Sequence, residues 1–200
     1  MYDIERATAD VRVGRLVIVT DDADREDEGD LILAAEHATG ERVNLMLRQG
    51  GGLLLVALTQ QRLAELDLQL IQPRNAPPHA PRMALPVDAR HGVGTGISAA
   101  DRATTIRKLA APEAGPEDFA VPGHVLVLAA AAGGLRERRG HTECALELML
   151  LAGLYPAAAM CEVMTPDGRM ARGEELAALA QRIGVGIVGV SQIAEALGGA

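Results

Sequence analysis

The stretch Arg15-Leu-Val-Ile-Val-Thr-Asp-Asp-Ala-Asp-Arg-Glu-Asp-Glu-Gly-Asp-Leu-Ile-Leu-Ala-Ala35 decides how the fold is read. Its two apolar runs, 15–20 and 31–35, are short and aliphatic, and they read as strands. Between them, seven of the ten residues 21–30 are acids and one is Arg25. Acids packed so densely repel each other, so a plain connecting turn gains nothing from them. Working outward, the apolar spacing predicts helices over 41–49, 60–67, 99–109, 143–152 and 174–182, and a last helix capped by Ser191. Strands are predicted over 53–58, 125–128, 157–164 and 185–190. Ser98 reads as a cap for the helix at 99, and Thr142 for the one at 143. Five prolines in 72–86 exclude regular structure and predict a long loop, followed by the glycine-rich turn 91–97. Helices and strands alternate with no repeat period and no domain-sized shift in composition. The expected fold is a single α+β domain over 1–200, of three-layer α/β type, with a mixed β-sheet flanked by helices.

Composition narrows the function classes. Of 200 residues, 48% are hydrophobic and 23% charged, the profile of a folded globular chain. Tyr2, Phe119 and Tyr155 are its aromatic residues, so Ala, Val, Leu, Ile and Met must build the core. The net charge of −8 excludes a general nucleic-acid footprint and gives no attraction to an anionic membrane surface. A local basic pocket for a small phosphorylated ligand is still compatible with that charge. The longest uncharged stretch, 119–135, is too short and too broken by Pro and Gly to span a bilayer. No secretory leader is expected at 1–10. Cys144 and Cys161 lack zinc-site spacing and do not form a disulfide framework, which fits reduced thiols in a cytoplasmic protein.

Three constellations carry candidate chemistry. The acidic decapeptide offers hard oxygen ligands of the kind Mg2+ takes, one or two carboxylates at a time, although a solvated acidic turn has the same composition. Arg25 within it can be held by the acids and aimed at a ligand anion. Arg138-Arg-Gly-His-Thr-Glu143 combines a glycine turn, two arginines, a hydroxyl and an expected helix start, which together make an anion site. His141 in that loop suits a metal ligand or a proton carrier, and a basic loop with a surface histidine is the plain alternative. His124, after Pro122-Gly123, and Glu162, after Cys161, stand at strand ends and suit acid–base roles; each alone is also compatible with a structural residue. His37, His79 and His91 have no partner pattern and read as surface or loop histidines, and Cys144 as a small buried residue.

Taken in order, these motifs resemble the 3,4-dihydroxy-2-butanone 4-phosphate synthases of riboflavin biosynthesis. The resemblance runs from about residue 13 to 197. It rests on Asp24-Arg-Glu-Asp-Glu-Gly-Asp-Leu31, Thr95-Gly-Ile-Ser-Ala-Ala-Asp-Arg-Ala-Thr-Thr-Ile106, Pro122-Gly-His124, Arg138-x-Gly-His-Thr-Glu143, Ala152-Gly-Leu-Tyr-Pro156, Cys161-Glu-Val-Met164 and Asp167-Gly-x-Met-Ala-Arg172. It implies a cytoplasmic lyase, working as a homodimer with its sites near the subunit interface. The implied reaction takes D-ribulose 5-phosphate to L-3,4-dihydroxy-2-butanone 4-phosphate and formate with Mg2+, or with Mn2+ in its place. By the same resemblance Glu26 and His141 hold the metal. Arg25, Glu26, Asp30, Arg138, Arg139, Gly140, His141, Thr142 and Glu162 bind substrate, and His124 and Glu162 are the essential acid–base groups.

The chain departs from the family pattern at five places. Leu55 stands where a Cys is usual, Ala84 and Gly94 where Thr is usual, Arg139 where Pro is usual, and a basic residue is usual near Ala129. The first three are expected near the site, where lost hydroxyls and a lost thiol would alter the fit to a polyhydroxy substrate. Two other readings follow: a diverged relative using the same enediolate chemistry on another sugar phosphate, or a non-catalytic protein that binds metal and phosphate.

Overall fold

The computed structural model describes residues 2–22, 24–75 and 80–198. The two strands flanking the acidic residues are β1 (Val17–Thr20) and β2 (Gly29–Ala34), an antiparallel pair registering Val17 with Ile32 and Thr20 with Gly29. Around them a seven-stranded mixed sheet forms in the order β4-β5-β3-β6-β2-β1-β7. Its other strands are β3 (Gly51–Leu58), β4 (Arg82–Ala89), β5 (Phe119–Ala129), β6 (Ala157–Val163) and β7 (Gly186–Gly189). β3/β5 and β1/β7 are parallel and the other neighbours antiparallel.

Side chains alternate across a strand, so each strand feeds two cores. Ile18, Leu31, Leu33, Leu54, Val56 and Cys161 face one side. There they meet α2 (Gly40–Gln49), α3 (Gln60–Glu65), α4 (Ala99–Ala110) and α6 (Gly173–Ile183). Val17, Val19, Ile32, Leu55 and Met160 face the other, under α1 (Ile4–Arg12), α5 (His141–Leu151) and α7 (Val190–Ala196). This is the expected three-layer arrangement, and Phe119 is the one aromatic side chain among the described buried hydrophobic residues.

Several boundaries differ from the sequence reading. The stretch 72–86 is not all loop: β4 begins at Arg82 and contains Pro86. β4 is an edge strand with register breaks between Ala84 and Val87, where a missing N–H leaves no ladder bond unmade. β5 is longer than predicted because Pro122-Gly-His124 bulges within it rather than preceding it. α1 was not anticipated. Only Ala7 and Val11 of its nine residues are buried, too sparse a stripe to read, and Asp3 caps it by accepting from the Arg6 N–H. α5 begins at His141 behind Gly140, so Thr142 lies in its first turn and does not cap it. Ser191 likewise sits inside α7, and its hydroxyl donates to Asp22 (2.7 Å). Ser98 does cap α4, accepting from the Asp101 N–H. His91 is exposed in a loop as expected, His37 instead sits half-buried at the end of a short 3-10 turn with its Nε2 3.0 Å from the Arg12 carbonyl, and His79 falls outside the described residues.

One charge is fully buried for structural reasons. Arg62, 2% exposed, donates to the carbonyls of Leu109 (3.0 Å), Ala111 (2.5 Å) and Ala114 (3.3 Å), and pairs with Glu65. It thereby satisfies the Leu109 carbonyl in the last turn of α4 and the Ala114 carbonyl beyond it, and adds a second donor to Ala111, which also accepts from the Ala114 N–H. Arg62→Met takes the guanidinium away from the Leu109 and Ala114 carbonyls. It is expected to cost about 2–4 kcal/mol, seen as a lower urea midpoint.

Candidate active site

Residues chosen by strand parity meet on the α5 side of the sheet. Asp30 of β2 is directly opposite Glu162 of β6, so two carboxylates emerge side by side on one face. Leu55 of β3 and Met160 of β6 share that face. With Arg25, Glu26, Glu28, Arg138, His141 and Thr142 they line a cavity of about 210 Å³. A second cavity of about 240 Å³ shares Pro81, Arg138 and Thr142 with it.

Local structure explains each placement. Asp21 is buried and pins the acidic loop to itself. It accepts from the backbone N–H of Glu26 (3.2 Å) and Glu28 (2.9 Å) and from Arg25 Nη1 (2.6 Å). Arg25 also pairs with Glu26 (2.9 Å). The clustered acids therefore have a use: they hold one arginine at the cavity wall. Glu162 Oε2 accepts from the Leu53 N–H (2.8 Å), in a gap where the β3/β6 register breaks between Gly51 and Leu54. A Cβ on Gly52 would collide with the Glu162 carboxylate and backbone, so glycine is required there. Glu143, 1% exposed, accepts from Arg138 Nη1 (2.6 Å) and from the Ala131 N–H (2.8 Å). It steadies the arginine loop from behind, a role the sequence reading did not assign.

Asp30 Oδ1 and His141 Nε2 are buried here without a hydrogen-bond partner among the described residues. Donor atoms of Asp21, Glu26 and His141 all lie within 4.8 Å of one another, and His141 Nε2 is 4.0 Å from Asp21 Oδ1. A carboxylate-and-imidazole set with an unpaired buried nitrogen fits a divalent cation. Asp21 was not singled out from sequence. Its burial separates it from the other acids of the loop, and burial is invisible in a run of seven.

Burial pushes the Asp30 carboxyl up to about 7; Glu162, Glu28 and Glu26 add to that shift and His141 opposes it. The sign follows directly. In the metal-free protein the folded state keeps this proton while the unfolded chain has lost it above the ordinary value of 3.8. The contribution of this group to stability is therefore fully present below about pH 4 and is lost as the pH rises towards about 7. Asp30→Asn is expected to remove that dependence, and urea melts in EDTA at pH 4.5 and pH 8 would show it. The variant should gain on the native protein at pH 8 and match it at the lower pH.

Not every residue singled out from sequence reaches this cavity. Arg139 turns away, pairing with Asp22 (3.1 Å) and lining a larger cavity of about 570 Å³ beside α7. Gly140 supplies the N-cap of α5 and lies outside the lining. His124 is exposed and also outside it. Asp88 holds that histidine at two points, accepting from its backbone N–H (3.0 Å) and facing its Nδ1 (2.7 Å). Of the three departures expected near the site, only Leu55 lines the cavity. Ala84 is buried in the opposite core, because its parity on β4 turns it to the α4 side. Gly94 lies beside Asp101.

Comparisons with known proteins agree with one another. The sequence profile described as 3,4-dihydroxy-2-butanone 4-phosphate synthase matches residues 5–196. The riboflavin biosynthesis protein RibBA of Aquifex aeolicus is 46% identical over 95% of the chain, which spans about half (47%) of that protein's length. A 3,4-dihydroxy-2-butanone 4-phosphate synthase of Shewanella woodyi is 43% identical, with 96% of this chain and 88% of that one covered. A crystal structure of such a synthase in complex with two magnesium ions superposes with a TM-score of 0.91 at 40% identity, covering 98% of this chain and 96% of the other.

Proposed function

The chain belongs to the 3,4-dihydroxy-2-butanone 4-phosphate synthase family, and from that premise we propose that it converts D-ribulose 5-phosphate to L-3,4-dihydroxy-2-butanone 4-phosphate and formate. The observation that carries the reading is the cavity where His141 Nε2 and Asp30 Oδ1 are buried without partners beside Glu26 and Glu162. Glu26 and His141, with Asp21 in reach, would hold Mg2+ or Mn2+. When bound, the cation supplies Lewis-acid stabilisation to the oxygens of an enediolate.

The chain's own residues do the rest. Arg138 and Thr142, with the free N–H groups at the start of α5, bind the phosphate and fix the reacting end. Arg25, held in place by Asp21, adds positive charge at the wall. The paired carboxylates Asp30 and Glu162 divide acid and base work. Glu162 is oriented by the Leu53 N–H to accept a carbon-bound proton, and Asp30, titrating near neutrality, can hold one for a departing hydroxide. His124 is the further proton carrier. It is oriented by Asp88 yet stands outside the cavity of its own chain, and the exposed apolar residues Leu53, Leu85, Ile97 and Val121 belong to the strands and loop near it. This supports a homodimer in which His124 completes a partner's site. One sheet with a core on each face supports a single domain over 1–200. No helix among the described residues is long and apolar enough to cross a membrane, and two free buried cysteines suit the reducing cytoplasm.

The test is incubation with ribulose 5-phosphate and Mg2+, following formate. Formate release abolished by EDTA and restored by Mg2+ is expected. Absence of formate under those conditions would overturn the reading.

A further inference from the structure

The motif Asp167-Gly-x-Met-Ala-Arg172 has no part in the chemistry so far, and none of its residues lines the cavity. It forms a turn between β6 and α6, closed by a Met164–Met170 bridge and by Thr165 hydrogen bonds to Asp167 and to the Arg169 N–H and carbonyl. Arg169 on that turn pairs locally, with Asp167 (2.9 Å) and Glu175 (3.2 Å). Arg172 does something different. Its Nε donates to the Asp27 carbonyl (3.2 Å) and its Nη2 to the Glu26 carbonyl (3.1 Å), some 145 residues away in sequence. Its Nε is also 4.0 Å from the Asp27 carboxylate.

We infer that Arg172 is a positioning residue: an external clamp that holds the acidic loop over the cavity and so presents the Glu26 side chain towards His141. The loop needs one. It is crowded with like charges, and Asp27 at its tip has φ +54, a left-handed conformation that is less favourable than the ordinary regions for a residue other than glycine. Asp21 fixes the loop from inside through the N–H groups of Glu26 and Glu28. Arg172 fixes the same segment from outside through the carbonyls of Glu26 and Asp27, so the peptide that carries Glu26 is held from both sides. A guanidinium presents donors to two consecutive carbonyls in a fixed planar fork, a geometry that the single nitrogen of an ammonium does not reproduce. The role of Glu26 as metal ligand is taken from the function proposed above; the restraint on the loop is not.

Three variants separate these statements. Arg172→Ala leaves the backbone bond from its N–H to Glu175 intact, so α6 keeps its start. Arg172→Lys keeps the charge but not the two-point grip, and Arg169→Ala removes a neighbouring arginine that does not touch the loop. In metal-free protein, amide exchange across residues 24–28 is expected to quicken about tenfold in Arg172→Ala, less in Arg172→Lys, and not in Arg169→Ala. Mn2+ affinity, read by electron paramagnetic resonance, should fall about tenfold in Arg172→Ala and follow the same order among the variants. Unchanged exchange in Arg172→Ala would overturn the clamp. Faster exchange with Mn2+ affinity unchanged would overturn the coupling to the metal. If native protein and Glu26→Gln bind Mn2+ equally, the metal assignment fails, and the exchange result still decides the clamp.

Discussion

Glu26→Gln is expected to lower formate release by about 10²–10³ or more while the protein stays folded. The side chain is 49% exposed and among the described residues pairs with Arg25, itself held by Asp21 as well, so losing its charge removes little from the fold. The loop is pinned through the Glu26 backbone N–H, which the amide substitution keeps. What disappears is one anionic oxygen beside a buried imidazole nitrogen that has no hydrogen-bond partner among the described residues. A thermal melt within a degree or two of the native protein, together with at least tenfold weaker Mn2+ binding, would locate the loss in the metal site. Turnover within tenfold of native would remove Glu26 from that role.

His124→Ala should be nearly as severe, about 10²–10⁴ in turnover, since it deletes a proton carrier. Its placement makes a stronger test possible. The imidazole is exposed, gripped by Asp88, and absent from the lining of its own cavity. If a partner subunit supplies His124, a mixture of inactive Glu26→Gln and inactive His124→Ala chains contains heterodimers. In each heterodimer one site carries both lesions and the other carries none. After unfolding and refolding equal amounts together, about a quarter of native activity should return. No recovery, with mixed dimers demonstrated by tagged chains, would place His124 in its own subunit's site or outside the chemistry.

Much of the site was legible because its elements carry strong local signals. The run of acids between two aliphatic strands marked the loop, and Arg138, His141 and Thr142 followed from a glycine turn before a helix. The residues that support them were not legible, because their roles depend on burial and on distant partners. Asp21 differs from Asp22 only in pointing inward, and Glu143 looks like an ordinary first-turn acid until its contacts with Arg138 and Ala131 are seen. Arg139 sits in the expected loop, but Asp22 and Ser191 draw it to the far side. The fold class could be read for the same local reasons, and errors gathered where tertiary structure overrides propensity. An edge position allows Pro86 into β4, and a bulge lets β5 run past Pro122. α1 is held by two small apolar side chains that no periodicity analysis would weigh heavily.

The pairing of Asp30 with Glu162 has a further consequence. Their chain neighbours Leu31 and Cys161 face the opposite core, so the polarity of the active face depends on the integer alignment of β2 on β6. Sliding β2 by one residue would drive Asp30 into aliphatic packing and expose Leu31 to the reactants, and sliding β6 would do the same with Glu162 and Cys161. Selection against misalignment therefore acts through turnover as well as through folding, and a single-residue insertion ahead of either strand should be far more damaging than most substitutions within them.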